Sequence, residues 1–485
     1  MTFLDESTWR GKIFSGGWQQ ADGGDAAVTE PATGAEIGRT GIASAADVAA
    51  ATAAAAAAQP GWAALPHPQR AAILRNAAQI WLANAAEIEN WSIREGGKTG
   101  PAAQFETHVA TEELFEAATL PSRPYGELLP SESPHLSFAE RVPVGVVGVI
   151  APFNFPQILA IRSVAPALAL GNAVVLKPDP RTAVCGGVVL ALVLAEAGLP
   201  DGLLHVLPGG ADAGEALVTD PLVPVISFTG STAAGRRVGV LGGQHLKRVH
   251  LELGGNSALI VLADADLEKA ASAGAWGSFL HQGQICMTTG RHLVQGSVYE
   301  EYVSRLAAKA AQLPVGDPAG GQVALGPIID AGQRDKIHAL VTGSVAAGAR
   351  LAAGGSYEGL FYQATVLADV APTMPAYSQE VFGPVAPVIR FSTDDEAVRL
   401  AADSDYGLSL GILTRDVMHG LELARRIPTG IVHINDQTVD DAPNSPFGGV
   451  RASGSGSRVG GTANLGAFTD TRWVTIRGDI APYPF

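Results

Sequence analysis

Three side chains in the sequence have the chemistry of a covalent catalyst that works with a base. Cys286, in GQICMTTGR, carries a thiol whose ionised form is a strong nucleophile, and backbone N–H groups of a glycine-bearing turn can lower its pKa. Glu252, in HLELGGN, ends an apolar stretch, where burial would raise the pKa of its carboxyl group toward the range of a general base. Asn154, in APFNFPQ, has an amide that can donate a hydrogen bond to an oxyanion.

Each of these residues also has an ordinary structural explanation. A lone cysteine is often simply buried, a glutamate at the end of a strand can be solvated, and an asparagine before Pro156 can be a polar turn residue. The second cysteine, Cys185, lies within an apolar segment, which favours a structural role. From the residue types alone, the functional and structural explanations of Cys286 are evenly balanced.

Two further motifs are suited to binding an anion and a sugar. FTGSTAAG, with Gly230 and Gly235, places a glycine turn between a strand and a helix, where backbone N–H groups and the helix dipole favour pyrophosphate. Lys177 ends the strand AVVLK, where its ammonium group can bind a ribose or remain solvated. FTGSTAAG has the spacing of neither a dinucleotide fingerprint nor a P-loop, so as a generic pattern it is weak evidence.

The elements that must position these motifs are apolar strands that alternate with helices. The strands from Val142 onward are VPVGVVGVIA, AVVLK, LLHVL, VISFT and RVHLEL, and a second alternating region begins at Ser257 with SALIVL, RHLVQG, APVIRF and GIVHIN. This pattern predicts an α/β fold with parallel sheets covered by helices, in which ligands lie beyond the carboxyl ends of the strands.

The region before these strands is expected to be helical. An alanine-rich helix after a capping box at 44–47 is predicted to stop at Pro60, and a second helix is predicted to span about residues 68–91. The segment 121–141 is rich in proline and serine, which predicts either an exposed linker or a projecting hairpin.

Composition excludes several classes of protein. A chain of 485 residues predicts two large domains, and 47% hydrophobic residues argue against disorder. A net charge of −15 disfavours nucleic acid as a partner. Two cysteines cannot form a disulfide framework, and the sequence has no evident signal peptide or membrane span, so a cytoplasmic protein without a membrane partner is expected.

Taken in order, the motifs resemble those of the aldehyde dehydrogenase superfamily. EPATGAEIGRT and FTDTRW lie near the two termini and enclose APFNFP, VVLKPDP, FTGSTAAG, LELGGN, GQICMTTGR, EVFGPV and PFGG. The resemblance implies a Rossmann-type parallel-sheet cofactor domain (1–120 and 142–252), a second α/β catalytic domain (253–466) and a small oligomerisation hairpin (121–141, with 467–485). It also implies a homodimer or homotetramer.

The resemblance further implies an activity and roles for individual residues. The activity is the NAD(P)-dependent oxidation of an aldehyde to a carboxylic acid without a metal. Cys286 matches the nucleophile that forms a thiohemiacetal and then a thioester, Glu252 the base that activates water, and Asn154 the oxyanion donor, which acts with the backbone N–H of Cys286. The residues implied to bind the cofactor are Pro152, Lys177, Gly230, Ser231, Glu380 and Phe382.

The cofactor motif departs from the pattern of many NAD-preferring members of the family. Pro180 occupies the position at which those members have an acidic residue that chelates the ribose hydroxyls. Arg181 can pair with a 2′-phosphate, whereas Asp179 favours NAD. NAD is therefore the expected cofactor, and NADP stays open.

An aromatic aldehyde is the expected substrate. LKRVHLELGGNSALIVL and GAWGSFLHQGQICMTTGR are most similar to the benzaldehyde and vanillin dehydrogenase branch, and Phe155, Trp276 and Phe279 can supply flat apolar surface for an aromatic ring. Core packing explains Trp276 and Phe279 at least as well. The alternatives are an aliphatic aldehyde or semialdehyde as substrate, a thiol-dependent esterase, and a binding protein without catalysis.

Overall fold

The computed structural model describes residues 2–485 and contains a first sheet of seven strands that carries several of the predicted motifs. Five neighbouring strands are parallel, so that their carboxyl ends meet at one edge, and the other two are antiparallel. In spatial order the strands are Arg248–Glu252, Val225–Thr229, Val146–Ile150, Ala173–Lys177, Leu204–Val206, Lys12–Ser15 and Trp18–Gln20.

Helices pack against this sheet and against one another. Their bounds are Ala45–Ala64, His67–Ala83, Ala85–Gly96, Gly100–Ala117, Pro156–Ala169, Val189–Glu196, Ala211–Thr219 and Thr232–Gln244. The helix Pro156–Ala169 is buried along its whole length, because its residues are almost all apolar and other elements surround it. Within residues 2–485 no helix is long and apolar enough to cross a bilayer.

Two predictions about the N-terminal helices are wrong in their bounds. The first helix continues through Pro60 to Ala64, because its last turn is anchored by the buried Trp62, whose indole N–H donates to the Leu168 carbonyl over 2.8 Å. The single helix predicted over 68–91 is two helices that meet at Asn84. The side chain of Asn84 donates to the carbonyl of Ile80, which ends the first of them.

A second sheet of seven strands lies in the region after Ser257. Its order is Arg350–Ala353, Thr365–Ala368, Val385–Phe391, Thr289–Gln295, Ser257–Val261, Ser409–Leu413 and Ile431–Ile434, and all pairs but the first are parallel. Its larger helices are Leu267–Phe279, Tyr299–Ala311, Ala331–Ala346, Asp394–Ala402 and Val417–Ala424. Separate apolar clusters on this sheet complete the core.

A third sheet resolves the two structures predicted for 121–141 in favour of a hairpin. Its antiparallel strands are Gly126–Leu128, Leu136–Pro143 and Thr469–Ile476, so the hairpin pairs with the C-terminal part of the chain. Leu128 and Trp473 are 76% and 70% exposed on it. The predicted domain bounds and the role of this sheet in oligomerisation stay predictions.

Candidate active site

Cys286, Glu252 and Asn154 line one cavity, although the sequence separates them widely. Asn154 follows the strand Val146–Ile150, and Glu252 is the last residue of its own strand. Cys286 lies between a short helical turn and the strand Thr289–Gln295 of the second sheet. The site therefore forms where the carboxyl ends of the first sheet face the second sheet.

A strained turn presents Cys286 to this cavity. His281 and Gln282 have left-handed backbone conformations (φ 48° and 56°), and at Gly283 (φ 66°) a Cβ would collide with the Gly383 carbonyl. The Cys286 side chain is partly exposed. Burial, and next the charge of Glu380, raise the pKa of its thiol to about 12. These two effects outweigh any lowering of this pKa by backbone N–H groups, the effect that the sequence suggested.

Glu252 is a buried carboxyl group without hydrogen-bond partners. Its exposed fraction is 7%, and neither side-chain oxygen makes a hydrogen bond, although the Gly449 N–H is close enough to favour the charged form. Burial raises its pKa to about 8, against the opposing effect of the Arg162 and Arg458 charges. The raised pKa agrees with the sequence prediction and leaves the group able to take up or release a proton near neutral pH.

Asn154 is held at both its side chain and its backbone. Its Nδ2 donates to the Gln284 carbonyl over 2.9 Å, which leaves the second amide hydrogen for another acceptor. Its own carbonyl accepts a hydrogen bond from the Lys98 Nζ over 2.6 Å. Asn154 and Cys286 also line a second cavity, so that the two cavities meet at this pair.

The first cavity, of about 640 Å³, is lined by every residue predicted to bind the cofactor: Pro152, Lys177, Gly230, Ser231, Glu380 and Phe382. Lys177 Nζ donates to the Gly209 carbonyl over 2.6 Å, and Ser231 caps the helix Thr232–Gln244. Glu380 accepts from the Gly255 N–H over 2.9 Å, and burial raises its pKa to about 7.

These groups suit a nicotinamide dinucleotide. A helix N-terminus with a glycine turn offers N–H donors to a pyrophosphate, and the half-buried side chains of Lys177 and Glu380 can hydrogen-bond sugar hydroxyls. Phe382 has a left-handed backbone (φ 52°), and its ring meets that of Phe153 edge to face at 6.0 Å. The cavity thus combines an anion site with flat apolar surface near Cys286.

Arg181 is engaged by two carboxylates at the wall of this cavity. Its Nη2 lies 2.8 Å from Asp179 and its Nη1 lies 2.7 Å from Asp330. Its guanidinium also lies over the Phe153 ring, 4.2 Å from the centroid. A 2′-phosphate would have to compete with both carboxylates for this cation.

The second cavity, of about 860 Å³, is lined by all three residues predicted to contact an aromatic substrate. Phe155 and Phe279 are buried, whereas Trp276 is 56% exposed. Arg162 also lines this cavity and pairs with Asp441, while its Nε has no partner. Sequence reasoning missed Arg162; the signal was a single charged residue in the largely apolar helix PQILAIRSVAPALA.

Comparison with known proteins identifies the family of the chain. Residues 18–474 match the model of the aldehyde dehydrogenase family. A vanillin dehydrogenase of an Amycolatopsis species is 69% identical over all of both chains, and a benzaldehyde dehydrogenase of Pseudomonas putida, named for NAD(+), is 51% identical over 99% of each. The solved structure of a salicylaldehyde dehydrogenase from Pseudomonas putida, complexed with salicylaldehyde, matches with a TM-score of 0.95 at 34% identity and covers 98% of this chain and 99% of its own. The predicted α/β fold is confirmed, and the chain belongs to the aldehyde dehydrogenase family.

Proposed function

We propose that the protein oxidises aromatic aldehydes to carboxylic acids through a thioester on Cys286, with NAD as the oxidant. The observation that carries the proposal is the position of Cys286 between a cavity suited to a nicotinamide dinucleotide and a cavity lined by aromatic side chains. The names of the relatives, which refer to vanillin, benzaldehyde and salicylaldehyde, support the substrate class.

Cys286 and Asn154 perform the first half of the reaction. The Cys286 thiol releases its proton to solvent, and the thiolate adds to the aldehyde carbon. The resulting oxyanion accepts hydrogen bonds from the free Asn154 amide hydrogen and the Cys286 backbone N–H. Lys177, Glu380 and the turn at Gly230 would hold the dinucleotide, whose nicotinamide ring would supply the two-electron oxidation of this adduct. Cys286 then carries the acyl group as a thioester.

Glu252 performs the second half. Its carboxylate takes a proton from a water molecule, which adds to the thioester carbonyl; the carboxylic acid leaves and the thiol is restored. The absence of hydrogen bonds to its two oxygens keeps them available for that proton, and a pKa of about 8 lets the group exchange the proton with solvent near neutral pH.

The second cavity favours an aromatic substrate. Phe155 and Phe279 line the same cavity as Cys286, and the Phe155 ring is itself held edge to face by Phe105 at 6.4 Å. NAD is favoured over NADP because the Arg181 guanidinium is already paired with Asp179 and Asp330. A 2′-phosphate at this position would be repelled by the two carboxylates.

The test is initial-rate kinetics on a panel of aromatic and aliphatic aldehydes with NAD and with NADP. We expect the highest kcat/KM for benzaldehyde-like substrates with NAD. We expect Cys286→Ala to lower kcat by roughly 10⁴-fold or more, as for loss of other covalent nucleophiles, while NAD binding measured by calorimetry is retained. A preference for aliphatic aldehydes would overturn the substrate class, and full turnover by Cys286→Ala would overturn the mechanism.

A further inference from the structure

A buried ion pair lies behind the candidate oxyanion donor and has no part in the chemistry described above. Lys98 and Glu106 have no exposed side-chain surface, and Lys98 Nζ lies 2.8 Å from the Glu106 carboxylate. Buried ion pairs are weak contributors to stability, because desolvation offsets the attraction. A pair at this position therefore calls for an explanation other than stability.

The pair holds both ends of the short segment that carries Asn154. Lys98 donates to the Asn154 carbonyl over 2.6 Å, and Glu106 accepts the Gln157 backbone N–H over 3.0 Å, at the start of the next helix. Phe155, between these two anchors, has its ring centroid 4.0 Å from Lys98 Nζ. Hydrogen bonds to charged groups are stronger than those between neutral groups, so the segment is clamped from both sides.

The turn that carries Lys98 also supports the segment before Cys286. Gly97 has a left-handed backbone (φ 64°), and its carbonyl accepts a hydrogen bond from the Gln282 side chain over 3.0 Å. A Cβ on Gly97 would lie 2.7 Å from Pro327, so this tight approach requires glycine. One turn thus touches the Asn154 segment and the strained turn before Cys286.

We propose that Lys98, with Glu106, is a positioning residue for the reaction, which acts through the Asn154 carbonyl to fix the oxyanion donor against Cys286. This inference rests on the proposed function of Asn154. The inference goes beyond that function by assigning a role to a buried ammonium group that lines neither cavity. Lys98 acts mainly on kcat, because misplacing the donor weakens contacts made in the transition state. The Phe155 ring, which Lys98 contacts and which lines the aldehyde cavity, is also held by Phe105 and His281.

The test is a double-mutant cycle with Lys98→Met and Asn154→Ala, measured as kcat and KM for benzaldehyde at saturating NAD. We expect Asn154→Ala to lower kcat by about 10²–10³-fold, as for other oxyanion donors. We expect Lys98→Met to lower it by roughly 10- to 100-fold, the range expected for a misplaced group, with little change in KM. Added to Asn154→Ala, Lys98→Met should lower kcat by no more than about threefold, because residues that act as a unit are not additive.

Glu95→Gln is the matched control. Glu95 is a buried carboxyl group on the helix that precedes Lys98, and it accepts N–H groups from Val184 and Cys185 without touching the Asn154 segment. This variant should keep kcat within about twofold, as expected of a residue outside the reacting unit. If Lys98→Met does not fold because it leaves Glu106 charged and unpaired, the double variant Lys98→Met/Glu106→Gln replaces it in the cycle.

The outcomes separate this inference from the function on which it rests. An unchanged kcat for Lys98→Met, or losses that multiply with those of Asn154→Ala, overturns the positioning role and leaves Asn154 in place. An unchanged kcat for Asn154→Ala overturns both. The positioning role is supported if Lys98→Met lowers kcat in the natural chain but lowers it little further in the Asn154→Ala variant.

Discussion

Glu252 and Glu106 are two buried carboxyl groups with opposite surroundings. Glu106 accepts from Lys98, from the Ser92 hydroxyl at 2.9 Å and from Gln157, so both of its oxygens are engaged. Glu252 has no hydrogen bond on either oxygen. An unpartnered buried polar group destabilises the fold, so it persists where function requires it. The comparison identifies Glu106 as part of the framework and Glu252 as a group free to exchange a proton.

Glu252→Gln should have the largest effect on activity of the variants that test this comparison. We expect the steady-state kcat to fall by about 10²–10⁴-fold, the usual contribution of a general base, because water is no longer activated. The first turnover should remain, since the thioester still forms. Stopped-flow measurement should therefore show a burst of reduced cofactor followed by slow turnover. An unchanged steady-state rate would remove Glu252 from the mechanism.

The same variant should be more stable than the natural chain at high pH. The folded pKa of Glu252, about 8, lies above its ordinary value of 4.5, so between these values the folded state holds a proton that the unfolded state has lost. The free energy of unfolding should thus fall as pH rises through this window, by a few kcal/mol for a shift of this size. Denaturant unfolding of both chains should give a stability difference that is small near pH 4.5 and widens up to about pH 8; a constant difference would contradict the assignment.

Glu106→Gln should change stability in the opposite direction. It leaves the Lys98 ammonium group buried without a counter-charge, and breaking one side of a buried pair typically lowers the free energy of unfolding by about 3–5 kcal/mol. Because Lys98 then holds Asn154 less firmly, we expect kcat to fall about tenfold, less than for Glu252→Gln. Urea unfolding and steady-state kinetics measure both effects. Unchanged stability would show that Glu106 is not the framework group that its contacts indicate.

The sequence predicted the parts of the site that local pattern determines. Glu252 and Lys177 end apolar strands and Asn154 follows one, so the rule for parallel sheets located them correctly at one edge. The sequence analysis did not identify Lys98 and Arg162, because their partners, Asn154 and Asp441, are 56 and 279 residues away along the chain. Tertiary packing decides such contacts, and no local spacing in the sequence predicts them.

Tertiary contacts also decided details that the local sequence pattern did not determine. The last turn beyond Pro60 forms because Trp62 is buried against Leu168, which outweighs one lost backbone hydrogen bond. The pKa of Cys286 rises because burial and the Glu380 charge outweigh any effect of nearby N–H groups. The catalytic roles and the domain bounds were inferred from resemblance and stay predictions until variants are measured.

Asp330→Asn should have the smallest effect of these variants. It tests whether the pairing of Arg181 with carboxylates sets the preference for NAD over NADP. Arg181 and Asp179 line the cofactor cavity, and the Arg181 guanidinium pairs with both Asp179 and Asp330, which disfavours a 2′-phosphate at this cation. Asp330 also caps the helix Ala331–Ala346 through the Gln333 N–H at 2.8 Å, a bond that asparagine can keep.

Because the Arg181–Asp330 pair is about 40% exposed, each such contact is worth about 0.2–1 kcal/mol. We therefore expect kcat/KM for NADP to rise by roughly two- to fivefold and kcat/KM for NAD to stay within about twofold. Asp335→Asn makes the same change in net charge on the helix that Asp330 caps, but Asp335 pairs with Arg334 and not with Arg181. An equal gain for that control would mean that overall charge, and not the freeing of Arg181, sets the cofactor preference.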